Sequence, residues 1–327
     1  RDMQDAVIVS AVRTAVGRGK KDGSLAGVHP IDLSAIVLQE AIKRADLDPR
    51  TIDDVIWGCA MPEGAQGLNV ARLAVLRARL PVDVPAVTVN RFCSSGLQTI
   101  AMGAQAIMSG MADVIVAGGV EMMSQVPMSG YHARLHHGMT EEMIAMGLTA
   151  ERVAKRWSVS RVDQDQYAYE SHAKAARALE RGAFTDQIVP VPVERVTWRG
   201  TKKEVEEGYF AVDELVRTDT SAERLAKLPA AFMMGGSVTA GNASPYSDGA
   251  AAVALMSESR ARTLGLRPLA RLAGYAVAGV DPDIMGVGPI KAVPKALAKA
   301  GIGVEQLTLI EFNEAFASQA LAVARDL

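Results

Sequence analysis

Short apolar runs alternate with amphipathic segments over residues 6–119 of this 327-residue chain, and this alternation constrains the fold more than any other feature. The apolar runs predict buried strands over 6–12, 53–60, 86–90 and 112–119. Helical periodicity fills the intervals, over 30–47, 69–80 and 95–110. Strands that alternate with helices in this way predict an α/β fold, with a mostly parallel sheet that is covered by helices.

Residues 121–240 break this rhythm. They contain a predicted helix over 160–182, capped by Ser160, and a segment over 188–196 whose two prolines favour an edge strand or an extended loop. An apolar run over 248–257 then predicts a return strand of the first unit. We therefore expect three parts: an N-terminal half of residues 1–120 and 241–265, an inserted loop domain of residues 121–240, and a C-terminal half of residues 266–327.

A faint internal repeat relates the two halves. Pro30 and Pro289 each begin a Pro-Ile pair, an amphipathic helix, a polar turn and an apolar run. The apolar positions then align without gaps: Leu47 with Ile302, Ile52 with Leu307, and Val55 with Ile310. The pattern predicts two similar α/β halves, with a strand just before Asn313 and a second half that is incomplete. A chance match between two such units is the alternative.

Composition narrows the classes of function. The formal net charge is −2, which provides no global basic field for nucleic acid or an anionic membrane. The sequence contains no run of 18 apolar residues, so it predicts no transmembrane helix. The two cysteines, Cys59 and Cys93, argue against a disulfide framework, so we expect a cytoplasmic protein, or one of a reducing organelle if a targeting segment was removed. We expect no metal site, because His136 and His137 read as a solvated loop.

The stretch VNRFCSSGLQTI places Cys93 between a predicted strand and a predicted helix. The thiolate is the nucleophilic form of cysteine, and the amino end of a helix lowers the pKa of a thiol. The small residues that follow would let a substrate approach the turn. A buried, inert thiol is the alternative, and this is the interpretation that we favour for Cys59.

Two later stretches carry polar groups between apolar runs. Residues 237–253 crowd glycine, asparagine, serine and proline into a loop that could contact a ligand, or could be an ordinary turn. Asn313 and Glu314 lie where the predicted strand before them meets the last helix. They are either helix N-caps or groups that orient a water or a reacting carbonyl at the end of a strand.

Three of these stretches, VNRFCSSGLQTI, GNASPYSDGAAAV and NEAFASQA, in this order and at these separations, resemble the thiolase family. The resemblance extends from about Ala6 to the last residue and is closest to degradative 3-ketoacyl-CoA thiolases, which are acetyl-CoA acyltransferases. Further matching stretches are GGVEMMS (118–124), MGLTAERVA (146–154), SRVDQDQYA (160–168), QIVPV (187–191), RLAKLPAAF (224–232) and MGVGPIKAVPKAL (285–297).

The resemblance implies a five-layered αβαβα fold of two similar halves with an inserted loop domain. It also implies cleavage of 3-ketoacyl-CoA by CoA, or the reverse condensation, as in fatty acid β-oxidation. Cys93 matches the nucleophile that takes up the acyl group. Asn313 matches a residue that holds a water in an oxyanion hole.

Six further positions match family contacts to CoA or to the acyl chain: Ser244, Met146, Phe232, Phe316, Arg217 and Arg224. The serine would touch the pantetheine arm, the two phenylalanines would line its tunnel, and the methionine would lie near the acyl group. The arginines would meet the nucleotide phosphates. Core packing of the phenylalanines and solvation of the arginines are the alternatives. We expect CoA and acyl-CoA as substrates and no permanently bound cofactor.

Two departures from the family pattern matter. Acetoacetyl-CoA-specific members have a histidine where this chain has Ala145, so we expect a preference for longer or varied acyl chains; an acetoacetyl-CoA-specific biosynthetic thiolase is the alternative. The GHP-type histidine and the second cysteine of the family do not occur in the 327 residues. A truncated acyl-CoA-binding protein without turnover is therefore a further alternative.

The family also implies a homo-oligomer. The segment between Met123 and Ala145 is short beside the long tetramerisation loop of tetrameric relatives. We therefore expect a homodimer.

Overall fold

The computed structural model describes the backbone of residues 4–126, 136–139 and 145–327, together with their side chains apart from those of 195–199 and 203. These residues form two compact units. The first lies within Arg1–Tyr131, Phe184–Leu215 and Tyr246–Leu272, and the second within His132–Ala183, Val216–Pro245 and Ala273–Leu327. The three-part division expected from the sequence stays a prediction.

The strands among the described residues all belong to the first unit. They are β1 (Ala6–Arg13), β2 (Gly17–Arg18), β3 (Asp54–Gly58), β4 (Ala86–Val89), β5 (Val114–Met122), β6 (Val191–Arg199), β7 (Lys202–Phe210), β8 (Ser247–Ser257) and β9 (Ala270–Arg271). The helices are α1 (Pro30–Arg44), α2 (Val70–Arg77), α3 (Ser95–Met108), α4 (Met146–Arg156), α5 (Arg161–Glu180), α6 (Ala222–Ala226), α7 (Glu258–Thr263), α8 (Gly288–Ala300) and α9 (Ala317–Asp326).

The main sheet has the strand order β4-β3-β5-β8-β1-β9, and β2 pairs with the start of β8. The pairs β3–β4 and β3–β5 are parallel, whereas β5–β8 and β1–β8 are antiparallel. The expectation of a mostly parallel sheet is therefore wrong. β8 returns after a long excursion of the chain, so it is not bound to the short helical crossover that makes neighbouring strands parallel.

Helices cover both faces of this sheet, and the alternation of side chains along β3 shows how. Val55 and Trp57 pack with α1 and α2 in one apolar cluster, while Ile56 packs with α3 in another. Because successive side chains of a strand point to opposite faces, a run that is apolar at every position can be buried on both sides. The indole nitrogen of the buried Trp57 donates to the hydroxyl of Ser34 at 3.2 Å.

The second unit is built around α4, α5 and α9. A small apolar cluster joins Val153 of α4 and Ala322 of α9 with Ile284 and Val287 of the 3₁₀ turn Pro282–Val287. The predicted cap of α5 is confirmed, since the hydroxyl of Ser160 accepts from the backbone of Asp163 at 3.1 Å.

In the first unit, the proline-containing strand β6 pairs with β7 in a sheet of two strands, as predicted for an edge element.

The internal repeat holds for helices and fails for a strand. α8 and the 3₁₀ turn Val304–Gln306 repeat the order of α1 and the turn Pro49–Thr51. The predicted strand before Asn313 does not form, and Ile310 is 65% exposed where its counterpart Val55 is fully buried. A strand needs neighbours for its backbone N–H and C=O groups. β3 has β4 and β5, whereas no strand among the described residues pairs with 309–312.

None of the helices within residues 4–126, 136–139 and 145–327 combines the length and the hydropathy that crossing a membrane requires.

Candidate active site

Cys93 lies in the turn between β4 and α3, directly before the N-cap residue Ser94. It is exposed, so the alternative of a buried thiol is wrong for this residue. Asn90 shapes the turn: its side-chain oxygen accepts from the backbone of Phe92 at 2.7 Å, and its amide donates to the carbonyl of Ala60 at 3.1 Å. Phe92 adopts a positive φ of 45°, a conformation that costs a non-glycine residue about 1–3 kcal/mol and persists only where its surroundings hold it.

The side chain of Ser95 stabilises the same turn with two hydrogen bonds. Its hydroxyl accepts from the backbone N–H of Arg91 at 2.8 Å and donates to the carbonyl of Phe92 at 2.7 Å. Ser95 rests on the end of β3, where a Cβ added to Gly58 would lie 2.9 Å from the carbonyl carbon of Ser95. Only glycine at this position allows the approach, which aligns the start of α3, and with it Cys93, on the sheet.

The thiol of Cys93 is less acidic than its place before a helix suggests. Desolvation at the turn raises its pKa, a hydrogen bond from its own backbone N–H lowers it, and the charge of Glu121 raises it again. The net direction of the pKa is upward, so desolvation and the charge of Glu121 outweigh the lowering contributed by the backbone N–H at this helix end. Attack by Cys93 at neutral pH therefore needs a base that takes the proton.

Cys59 contrasts with Cys93. It is 1% exposed at the end of β3. Burial, followed by the charge of Glu121, raises the pKa of its thiol to about 12. A buried thiol with such a pKa is inert, which confirms the structural interpretation of Cys59.

Glu121, near the end of β5, is a charged residue that the sequence analysis did not single out. Its carboxylate accepts from the backbone of Ala60 and from the side chain of Gln66, each at 2.7 Å. Burial is the main reason that its pKa is raised. The signal was present in GGVEMMS, where a lone acid interrupts an otherwise apolar strand.

In the second unit, two motif segments that are far apart in sequence are hydrogen-bonded to each other. The backbone N–H of Ser244 donates to the carbonyl of Ala315, and that of Ala317 donates to the carbonyl of Asn242, each at 2.9 Å. An antiparallel bridge joins Ala243 to Phe316 between these two bonds. The GNAS stretch and the NEAFA stretch thus form one short two-stranded ribbon.

The side chain of Asn242 fastens this ribbon to α5. Its oxygen accepts from the backbone of Thr239 at 2.8 Å, and its amide donates to Asp165 at 2.9 Å. The other oxygen of Asp165 accepts from Arg161 at 2.7 Å. Asn242 and Asp165 are both buried, so the loop that contains Ser244 is positioned by an internal network rather than being an ordinary surface turn.

The predicted aromatic residues meet beside the ribbon. The rings of Phe232 and Phe316 are edge to face, with centroids 6.1 Å apart and an interplanar angle of 81°. Phe232 is 43% exposed, so pure core packing does not describe it. Gly147, next to Met146 at the start of α4, lies so close to the Phe232 ring that an added Cβ would overlap it.

Asn313 and Glu314 precede α9, but neither caps it, because Phe316 is the N-cap residue. Asn313 is exposed, and its side chain makes no hydrogen bond to the rest of the described chain. The carboxylate of Glu314 accepts from the hydroxyls of Tyr167 at 2.9 Å and Ser171 at 2.6 Å. The sequence offered Glu314 as a helix cap or as a group that orients a water or a reacting carbonyl. Neither interpretation included the two hydroxyls, although their spacing of four residues on one helix places them on one face.

The two predicted phosphate-binding arginines differ in their surroundings. The guanidinium of Arg224 is paired with Asp219 at 2.7 Å. The backbone N–H of Arg217 donates to His172 at 3.2 Å, while its guanidinium has no partner among the residues that the structure describes. Desolvation and the charge of Arg217 lower the pKa of His172.

The structure therefore brings together Asn313, Ser244, Phe232, Phe316 and Met146 in the second unit, and it places Cys93 in the first unit. The roles expected of these residues stay predictions. Across the described ranges, no group of three or more His, Cys, Asp or Glu side chains is arranged to hold a metal ion. The segment on which the homodimer prediction rests, between Met123 and Ala145, lies largely outside the described residues.

Comparison with known proteins covers almost the whole chain. The family model "Thiolase, N-terminal domain" matches residues 6–259, and "Thiolase, C-terminal domain" matches residues 266–327. A 3-ketoacyl-CoA thiolase of Bacillus subtilis is 51% identical over 330 residues, which are 99% of this chain and 84% of the relative. An acetyl-CoA acetyltransferase of Pseudomonas aeruginosa is 48% identical over 341 residues, with the same two coverages.

A solved structure shows the same fold. The crystal structure of the acetyl-CoA acetyltransferase of Bacillus anthracis matches with a TM-score of 0.88 and 42% identity, over 99% of this chain and 84% of that chain.

Proposed function

Because this chain belongs to the thiolase family and has its α/β fold, we propose that it is an acetyl-CoA acyltransferase that cleaves 3-ketoacyl-CoA with CoA through an acyl-enzyme on Cys93. The observation that carries this proposal is the exposed Cys93 at a strand-to-helix turn held by Asn90, Ser95 and Gly58. A turn fixed in this way keeps a nucleophile at one position.

The reaction begins when the Cys93 thiol loses its proton to a base and the sulfur attacks the keto carbon of the substrate. The bond between the α and β carbons then breaks. The acyl group stays on the sulfur, and acetyl-CoA leaves as an enolate that takes up a proton. The thiol of CoA then loses its proton, and its sulfur attacks the carbonyl carbon of the acyl-enzyme. The bond from that carbon to the Cys93 sulfur breaks, the shortened acyl-CoA leaves, and Cys93 takes up the proton. Running these steps backwards gives the condensation.

The enolate oxygen needs hydrogen-bond donors while negative charge develops on it. We assign to Asn313 the task of holding a water at this oxygen. Its exposed side chain, free of other hydrogen bonds within the described chain, supports this assignment. Ser244, on the ribbon beside it, contacts the pantetheine arm of CoA.

The aromatic pair and the two arginines complete the binding of CoA. Phe232 and Phe316 offer partly exposed apolar surface to the pantetheine arm. Arg217 and Arg224 carry charges suited to the nucleotide phosphates. CoA is thus a substrate rather than a resident cofactor.

Ala145 bears on the choice of acyl chain. A methyl group where acetoacetyl-CoA-specific members have an imidazole leaves more room near Met146, which is 42% exposed. The enzyme therefore prefers longer or varied acyl chains. Such a preference suits a degradative role in fatty acid β-oxidation. We also propose that the enzyme acts in the cytoplasm and as a homodimer.

The test is a thiolysis assay over a series of 3-ketoacyl-CoA esters from short to long chains. We expect turnover in the wild type, none in Cys93→Ala, and near wild-type turnover in Cys59→Ala, the matched control. Full turnover in Cys93→Ala would refute the mechanism, and a kcat/KM that peaks sharply at acetoacetyl-CoA would refute the chain-length preference. A tetramer mass from light scattering would refute the homodimer.

A further inference from the structure

The segment that carries Asn313 has little support from its own backbone. Between the 3₁₀ turn Val304–Gln306 and α9 it forms no regular structure. Its backbone bonds begin only at Ala315, whose carbonyl accepts from Ser244. Within the described chain, no backbone-to-backbone hydrogen bond holds residues 308–314. The position of Asn313 therefore depends on side-chain anchors close to it.

Glu314 is such an anchor. Both of its carboxylate oxygens are occupied, one by the hydroxyl of Tyr167 at 2.9 Å and the other by the hydroxyl of Ser171 at 2.6 Å. The two donors are one turn apart on α5, so a rigid helix presents them together. Hydrogen bonds to an ionised acceptor are about twice as strong as neutral ones.

The hydroxyl of Tyr167 keeps the proton that it donates to Glu314. Burial, followed by its hydrogen bond to Glu314 and the charge of that carboxylate, raises the pKa of Tyr167 above its ordinary value. The hydroxyl therefore keeps its proton at any physiological pH.

The same helix holds the other half of the ribbon. Asp165 binds the side chain of Asn242 at 2.9 Å, two residues before Tyr167. α5 thus holds the GNAS stretch through the bond from Asn242 to Asp165. It holds the segment that carries Asn313 through the bonds from Tyr167 and Ser171 to Glu314.

We propose that Tyr167, Ser171 and Glu314 are positioning residues that fix Asn313 for its catalytic task. This inference rests on the proposed function, in which Asn313 holds a water at the enolate oxygen. A displacement of a catalytic group by about 1 Å costs about a hundredfold in rate. Loosening the anchor therefore lowers kcat, while the binding of the substrate, measured by KM, changes little.

The experiment is a double-mutant comparison in the full-length protein. Tyr167→Phe, Ser171→Ala and Glu314→Ala are each made in the wild type and in Asn313→Ala. Tyr169→Phe is the matched control, since Tyr169 lies on the same helix and is 37% exposed. The readouts are kcat, KM, the alkylation rate of Cys93 and the melting temperature.

We expect kcat to fall about tenfold or more in the wild-type background, with KM within about twofold. We expect no further fall in Asn313→Ala, and an unchanged alkylation rate of Cys93 in every variant. Equal losses in both backgrounds, or an unchanged kcat, would overturn the inference. Tyr167→Phe keeps the ring, so it tests the anchor even if Glu314→Ala does not fold. A wild type without thiolysis would instead overturn the proposed function, and this role with it.

Discussion

The backbone N–H of Ser244 donates a hydrogen bond to the carbonyl oxygen of Ala315 at 2.9 Å. This bond places the loop predicted to touch CoA beside the segment predicted to stabilise the enolate. Backbone atoms make this bond, and the side chain of Asn242 holds the ribbon on α5.

The first concerns the two thiols. Iodoacetamide should alkylate Cys93 and spare the buried Cys59 in the native protein. Since desolvation and Glu121 raise the pKa of Cys93 above its ordinary value of 9.0, the thiolate fraction is small at neutral pH. The alkylation rate should keep rising with pH beyond that value, as measured by mass spectrometry of the modified peptide. A rate that levels off well below it would contradict the direction of this shift.

The second prediction concerns Gly147. In Gly147→Ala the new Cβ would overlap the ring of Phe232, which must move and break its contact with Phe316. Overpacking of this kind costs about 1–3 kcal/mol, so we expect a lower melting temperature and a raised KM for acyl-CoA. Gly288→Ala is the control, because nothing lies within 4 Å of a Cβ there and alanine favours a helix. An unchanged KM in Gly147→Ala would contradict the proposed contact.

The third prediction concerns the network under the ribbon. Asp165→Ala removes an acceptor of Asn242 and of Arg161. One N–H of the buried Asn242 amide then lacks a partner, while the other still donates to the carbonyl of Ser237 at 3.1 Å. We expect a loss of about 1–3 kcal/mol in the free energy of unfolding, measured with urea. Asp163→Ala, on the same helix, breaks an exposed ion pair with Arg325 and should cost much less. Equal losses in the two variants would show that the network contributes no more than the surface pair.

The fourth prediction separates the two arginines. Arg217→Ala should raise the KM for CoA about fivefold, since an exposed charge pair is worth up to about 1 kcal/mol. Arg224→Ala should have a smaller effect, because Asp219 already neutralises its guanidinium. Both effects should shrink at high salt. If the two variants shift KM equally, the pairing of Arg224 does not limit its contact with phosphate.

Sequence patterns predicted the local elements well. The predicted strand over 6–12 is β1 (Ala6–Arg13), and the predicted helix over 160–182, with its Ser160 cap, is α5 (Arg161–Glu180). These features depend on neighbours within a few residues, so periodicity and capping chemistry suffice.

The failures are all long-range. The direction of β8, the absence of a strand before Asn313 and the raised pKa of Cys93 depend on groups that are distant along the chain. The partners of Glu121 and Glu314 were missed for the same reason. Residue type alone does not show which donor reaches a carboxylate.

The sequence by itself determined where the main strands and helices of residues 6–119 lie, that Cys93 stands between a strand and a helix, and which motifs relate the chain to the thiolase family. The exposure of Cys93 was decided by the tertiary structure. Only the tertiary structure decided how β8 enters the sheet, how the GNAS and NEAFA stretches pair, and how α5 anchors both. The physical reason is the distance along the chain over which each interaction acts. Backbone sterics and side-chain periodicity act over a few residues, whereas strand direction, desolvation and hydrogen bonds between segments exist only once the folded chain brings distant groups together.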